Sequence, residues 1–290
     1  METLRPTPST VAVLSDMHDF PARMRLLHSV DTLAPMLRKI LAGTAAGLLA
    51  LSLSATPAHA VANGEEVPDG HYTFSVKLTM TGIPTADGGK RNSGCSGALI
   101  SARWIITAGH CFRDANGVRV ERPVADITTA DVGRTDVTDT SHGIQTTIVA
   151  VRQSPTADVA VAQLAEPVRG VRPITLSNKA PKIGAILRVT GYGSVTSTNP
   201  TPVTHLRTGQ LKVVELGDTE VGLNGYAPAP DTTPCPYDSG APYFVERGRQ
   251  WPRLVAVVSN GPSCPHTEIE NGARTDNITQ WIRTAIRSGS

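Results

Sequence analysis

The sequence predicts an all-β chain in which many short strands build a barrel or sandwich, closed by a single C-terminal helix. Three observations predict it. Phe74, Val76, Leu78 and Met80 alternate with Thr73, Ser75, Lys77 and Thr79, and a period of two gives a half-buried strand. Further short β-rich runs recur at hairpin-like intervals between clusters of Gly, Pro, Asn, Asp and Ser, and the 26 Gly and 22 Pro supply the turns such a chain needs. Only the last segment carries helical periodicity: Ile278, Trp281, Ile282, Ala285 and Ile286 fall at i, i+3, i+4, i+7 and i+8, one apolar stripe to lay on a barrel.

In chain order, residues 1–35 are read as an extension ahead of a true start at Met36. Ile40 to Leu53 is a nearly unbroken apolar or small-residue run, preceded by Arg38-Lys39 and followed by the small-residue site Ala58-His59-Ala60. That charged, apolar and cleavage layout is a secretory signal peptide over residues 36–60. At 14 residues the run falls short of the ~20 that a spanning helix needs, so no membrane anchor is expected after processing. The mature domain then covers 61–290, secreted and extracellular. After the strand at Thr73–Met80, shorter ones are expected at Leu99–Ile100, Trp104–Ile106, Ile148–Val151, Val159–Leu164, Leu187–Thr190, Leu211–Val214 and Leu254–Val258. Asp276 is expected to cap the closing helix.

Charge excludes some partners. With 27 Lys+Arg against 25 Asp+Glu, a net charge of +2 and no basic run longer than the pair Arg38-Lys39, there is no electrostatic footprint for nucleic acid or an acidic membrane. Export implies an oxidising compartment, so Cys95, Cys111, Cys235 and Cys264 read as two disulfides rather than a metal site. No CxxC pair is present, and neither a metal nor an organic cofactor is expected. Three pairings are open; the sequential one closes the shortest loops, and each link contributes ~3 kcal/mol in the loop-entropy model.

Three segments carry chemistry: Cys95 to Cys111, containing Thr107-Ala108-Gly109-His110-Cys111; Asp158 to Leu164; and Cys235-Pro236-Tyr237-Asp238-Ser239-Gly240-Ala241-Pro242. Singly, each has a plain structural reading. Together they supply a nucleophile, a base and an orienting carboxylate, because a serine hydroxyl attacks only when a held base takes its proton. His110 is the base, Asp158 the carboxylate and Ser239 the nucleophile. The chain order His, Asp, Ser separates them from lipase-like hydrolases, whose Gly-x-Ser-x-Gly is broken here by Tyr237 and Ala241, and from subtilisin-like order.

These segments resemble those of the trypsin/chymotrypsin family of serine endopeptidases over residues 61–290. Val189-Thr190-Gly191-Tyr192-Gly193 is similar to an internal strand of that family, with Tyr for Trp. Val257-Val258-Ser259-Asn260-Gly261 looks like the strand that borders the primary pocket, with Asn260 where Trp is usual. The resemblance implies two six-stranded antiparallel β-barrels, roughly 61–170 and 171–290, with a C-terminal α-helix and a cleft between the barrels. It implies that Cys95–Cys111 fastens the His110 loop, Cys235–Cys264 ties the serine loop to the pocket strand, and Ser259 supports Asp158. The freed amine of Val61 would pair with Asp238. Backbone N–H groups of Tyr237 and Ser239 would form the oxyanion hole, and Thr233, Ser259 and Gly261 would shape the substrate pocket. Peptides or proteins are the implied substrates, and a protein inhibitor is a further partner.

The departures matter as much. Where the family has glycine two residues before the nucleophile, this chain has Tyr237, and a bulky residue resists the positive φ that aims the oxyanion donor. Its ring is expected on the leaving-group side of the cleft. Thr233 stands where trypsin-like specificity places Asp, and Glu270 reads as a solvated loop residue, the alternative being a displaced charge on the pocket wall. A catalytically weak or inactive relative that binds a partner through the same cleft is the competing reading.

Overall fold

The computed structural model describes residues 61–288; the expected extension at 1–35 and the expected signal peptide at 36–60 lie outside the described residues. Among these residues fourteen strands and one α-helix follow in order: β1 (Glu65–Glu66), β2 (Ser75–Pro84), β3 (Lys90–Ser101), β4 (Trp104–Ala108), β5 (Ile127–Val132), β6 (Ile144–Gln153), β7 (Val159–Leu164), β8 (Thr175–Leu176), β9 (Ile186–Gly191), β10 (Arg207–Leu216), β11 (Glu220–Ala227), β12 (Pro242–Arg247), β13 (Gln250–Asn260), β14 (Glu270–Arg274) and α1 (Thr279–Arg287). Strands β2-β3-β4-β7-β6-β5 close into one antiparallel barrel. Strands β9-β10-β11-β14-β13-β12 close into a second, since β9 pairs with both β10 and β12. The expected pair of six-stranded barrels is the observed fold.

Alternation builds the first barrel. On β2, Val76, Leu78 and Met80 are buried while Thr79 and Thr81 face solvent, and each such apolar side chain contributes about 1.5–3 kcal/mol on burial. Every residue of β4 is buried, because β4 also touches β13 of the second barrel; a strand covered on both faces reads as a continuous apolar run. Neighbouring β7 carries α1. Ile278, Ile282 and Ala285 of the helical stripe join the same core as Val161 and Leu164. The cap is a correction: Ile278 occupies the N-cap position with no side-chain bond, while Asp276 is paired with Arg274 at 2.8 Å. That bond takes the carboxylate that would have reached the helix N–H groups.

The barrels are joined by packing rather than by chain order alone. Phe74 meets Phe244 edge-on at 5.4 Å and Trp251 at 5.9 Å, and aromatic pairs of this kind add about 0.5–1.5 kcal/mol beyond area. A buried hydroxyl pair, Ser75 Oγ to Thr190 Oγ1 at 2.8 Å, spans β2 and β9. The first described residues belong to the second barrel: β1 pairs with β10 and Val61 is fully buried in its core. The two-residue strands β1 and β8, and the longer β5, β11, β12 and β14, were not expected from the sequence. Their stretches, such as Glu270-Asn271-Gly272-Ala273-Arg274, carry little apolar alternation, and their pairing depends on neighbours distant in sequence. Among the described residues no helix is long and apolar enough to cross a membrane.

Candidate active site

Strand register brings the first two predicted residues together. Ala108 at the end of β4 pairs with Val159 at the start of β7, so the residues just beyond, His110 in the 3₁₀ turn Gly109–Phe112 and Asp158, fall side by side. His110 Nδ1 lies 2.7 Å from Asp158 Oδ2, and the His110 backbone N–H donates to Oδ1 at 2.9 Å. An ionised carboxylate only accepts, so Nδ1 carries the proton and Nε2 keeps its lone pair. Ser259 Oγ, at the end of β13, donates to the same Oδ2 at 2.8 Å. Burial pushes the Asp158 carboxyl up, but the bonds from His110 and Ser259 outweigh it and hold the group below its usual range. Asp158 stays ionised at neutral pH.

Two residues here were missed by sequence reading. Arg119 Nη1 donates to Ala157 O at 2.8 Å and lies 3.6 Å from Asp158 Oδ1. Gln153 Nε2 donates to Gly109 O at 3.0 Å and to Val120 O at 3.2 Å. Gln153 braces the His110 turn against β6, and Arg119 braces the connection that carries Asp158. No motif marks them, since the contact needs the loop after Phe112 to fold back.

Ser239 is half-buried on the turn before β12, tied to the first barrel by the Ser96 N–H, which donates to Ser239 O at 2.8 Å. Among the described residues no hydrogen bond joins its hydroxyl to His110, and such bonds are often long until substrate arrives. The backbone N–H groups of Tyr237 and Ser239 donate to no acceptor among the described residues. Tyr237 has φ +76°, which corrects the expectation that a bulky residue would resist this conformation. The neighbouring peptides are pinned: the Ser194 N–H donates to Pro236 O at 2.8 Å and Ser96 Oγ to Tyr237 O at 3.1 Å. A planar trans peptide whose carbonyl is held on one side turns its N–H to the other. Strain of about 1–3 kcal/mol is thus carried by surrounding contacts. The Tyr237 ring packs beside Gly94, next to Cys95, and its hydroxyl donates to Pro200 O at 3.4 Å.

Because the backbone is already turned, Tyr237→Gly is expected to leave kcat within about threefold, whereas loss of a donor costs about 10²–10³. The change should instead lower KM for substrates extended past the scissile bond and tighten protein inhibitors. Steady-state kinetics on short and extended peptides checks this; a large gain in kcat on both would mean that the donor was misaimed.

Asp238 is fully buried. Gly193 N–H donates to Oδ1 at 2.8 Å, Cys235 N–H to Oδ2 at 3.0 Å, and the Val61 backbone N–H completes the set. Burial nevertheless pushes the carboxyl up to about 7. Position 193 must be glycine, because a Cβ there would overlap the carboxylate.

A cavity of about 370 Å³ opens beside Ser239, lined by Pro236, Ser259, Asn260, Gly261 and Glu270 among others. Thr233 is not among its lining residues: it is fully buried and bridges to Ala62. Glu270 is a further correction, since it is 2% exposed rather than solvated. Among the described residues no cluster of three His, Cys, Asp or Glu is placed to hold a metal.

Cys95 is bonded to Cys111 and Cys235 to Cys264, with Cα atoms 6.5 and 5.4 Å apart. The first fastens the His110 turn to β3; the second joins the serine loop to the segment after β13. Replacing either pair by serines is expected to cost about 3 kcal/mol, read as a lower denaturation midpoint with a steeper slope, because the unfolded chain without the link is less compact. An unchanged midpoint would show that the link constrains nothing.

Residues 61–282 match the family model described as Trypsin. Among curated proteins the chain is 24% identical over 257 residues to a snake venom serine protease homolog of Bothrops jararacussu, covering 82% of this chain and 92% of that protein. It is 26% identical to a beta-fibrinogenase-like protein of Daboia siamensis, over 67% of this chain and 78% of that one. A protein C activator of Agkistrodon contortrix contortrix is 23% identical over 66% of this chain and 85% of its own length.

Proposed function

The chain belongs to the trypsin family, and from that premise we propose that it is a secreted serine endopeptidase that hydrolyses peptide bonds through an acyl-enzyme on Ser239. Ser239 Oγ attacks the scissile carbonyl while His110 Nε2 takes its proton. Asp158 holds the resulting imidazolium by its Nδ1–H, with Ser259 and Arg119 keeping the carboxylate in place. The tetrahedral oxyanion is received by the N–H groups of Tyr237 and Ser239. His110 then returns the proton to the leaving amine, and a water activated by the same nitrogen releases the acid product.

One observation carries this reading. Among the described residues the backbone N–H of Ser239 and that of Tyr237, two residues before it, have no acceptor, and Tyr237 stands in the left-handed region. Unpaired donors fixed at this spot serve developing negative charge. The competing reading, a silent relative that binds a partner through the cleft, rested on Tyr237, whose φ removes that argument. In the endopeptidase reading residues 36–60 are a signal peptide and the mature protein acts outside the cell; the two disulfides support this, since such bonds persist in an oxidising compartment.

Incubating the chain that starts at Val61 with a broad peptide library, and reading cleavage sites by mass spectrometry, tests the proposal. Internal cleavages that vanish in Ser239→Ala are expected. A mature chain that cuts nothing would return the silent reading.

A further inference from the structure

The cavity beside Ser239 contains an ionisable group that the catalytic steps do not use. Glu270 opens β14, with its side chain only 3% exposed, and its Oε1 lies 2.8 Å from His266 Nε2. His266 Nδ1 accepts the Glu268 backbone N–H at 3.1 Å, so the ring proton is on Nε2 and is donated to Glu270. Oε2 accepts no hydrogen bond among the described residues, although Glu270 lines the cavity. Room for the carboxyl exists because residue 261 is glycine: a Cβ there would overlap both carboxyl oxygens. Of the side chains lining the cavity, Glu270 is the one that titrates.

We propose that Glu270, held by His266, is the specificity-determining residue of this cavity and selects substrates with a lysine or arginine side chain on the acyl side of the scissile bond. The proposal rests on Ser239 being the nucleophile that the cavity adjoins. An ammonium or guanidinium entering it would donate to the open Oε2 in surroundings largely shielded from water, where a charge-assisted bond is strong. His266 suits the task. Burial lowers its pKa, so it orients the carboxyl without adding a positive charge that would repel the guest.

The same burial makes the selection depend on pH. Burial first, and the nearby Asp238 charge second, push the Glu270 carboxyl up to about 8. The groups facing it are His266 from the preceding loop, Asp238 from the serine loop and Tyr243 from β12, whose buried hydroxyl has no partner among the described residues; Glu268 acts on it through His266. A Val61 ammonium beside Asp238 would offset that second contribution. The empty cavity therefore holds a neutral acid at low pH and an anion at high pH, and a bound cation favours the anion. Preference for a basic over a neutral side chain rises with pH in the range around 8.

The test pairs turnover with a binding measurement that needs no turnover. Substrates differing only in Arg, Lys, Gln or Leu before the scissile bond are compared from pH 6.5 to 9, and p-aminobenzamidine binding is followed by fluorescence. The expected result is a preference of about 10²-fold or more for Arg and Lys over Gln and Leu, rising with pH, and amidine binding that strengthens in parallel. Glu270→Gln should abolish both while fluorophosphonate labelling of Ser239 persists. If that variant does not fold, the wild-type ratio against pH decides: a flat ratio, or preference for Gln, overturns the proposal. Cleavage of neutral substrates without amidine binding overturns the pocket assignment alone. Amidine binding without any turnover supports the pocket and overturns the endopeptidase reading.

Discussion

Replacing His110 or Ser239 by alanine, or Asp158 by asparagine, is expected to lower kcat/KM by about 10⁴-fold or more, the loss known for triads of this type. The geometry gives the reason for each. Without Ser239 Oγ there is no atom to acylate. Without His110 the hydroxyl keeps its proton. Asparagine at 158 would keep the shape, but three donors converge on the carboxylate and one of the amide's two terminal atoms is itself a donor: turned toward Oδ1 it opposes the His110 backbone N–H, and turned toward Oδ2 it faces Nδ1 and Ser259, so that the ring turns its lone pair the wrong way. The losses should not add: a double variant of His110 and Ser239 should be about as inactive as either single one. Steady-state kinetics on one peptide decides it, and additive losses would mean that the residues do not act as a unit. KM should change little, because none of the three builds the cavity wall except Ser239 at its rim.

The second large effect is expected at Val61. With the chain continuous ahead of it, a backbone amide faces Asp238, and the carboxyl is pushed up to about 7 by burial. Val61 itself sits at φ +48°, a left-handed conformation strained for a β-branched residue. Cutting before Val61 removes the preceding carbonyl that makes this conformation costly and supplies an ammonium for Asp238. A chain with one blocked residue retained ahead of Val61 is expected to be about 10²–10³-fold less active, corresponding to the 3–5 kcal/mol of a buried charge without its partner. In that blocked chain the folded pKa of Asp238 lies above its unfolded value of 3.8, so the native state binds the proton more tightly. Its contribution is present below about pH 4 and is lost as pH rises through about 7. The blocked chain should therefore lose thermal stability between pH 4 and 7, and the processed chain should not. Melting curves of both forms across that range check the point; parallel curves would separate Asp238 from the N-terminus.

Much of the arrangement could be read from the sequence, and the misses have physical causes. The period-two run at Phe74–Met80 and the apolar run at Trp104–Ile106 appear as β2 and β4 because their own side chains make the core. His110 and Asp158 were legible because each lies in a short motif beside a strand and the order His, Asp, Ser matches a triad; the Ala108–Val159 register then makes them neighbours. The left-handed Tyr237 was not legible, since local propensity argues against it and only Ser96 and Ser194, far away in the chain, impose it. Glu270 was misjudged for a similar reason: a carboxylate in a stretch with little apolar patterning reads as solvated until His266 and the space over Gly261 are known. Arg119 and Gln153 reach the site across a loop whose folding no short motif encodes.

Activation of Ser239 as a nucleophile is read directly by a fluorophosphonate probe, because the probe labels a serine whose proton is being withdrawn rather than any exposed hydroxyl. The processed chain, treated with the probe and mapped by peptide mass spectrometry, should carry one adduct, on Ser239, formed at a rate that collapses in His110→Ala. Labelling that is undiminished in Ser239→Ala, or a processed and folded wild-type chain that takes up no probe, would show that Ser239 is not an activated nucleophile.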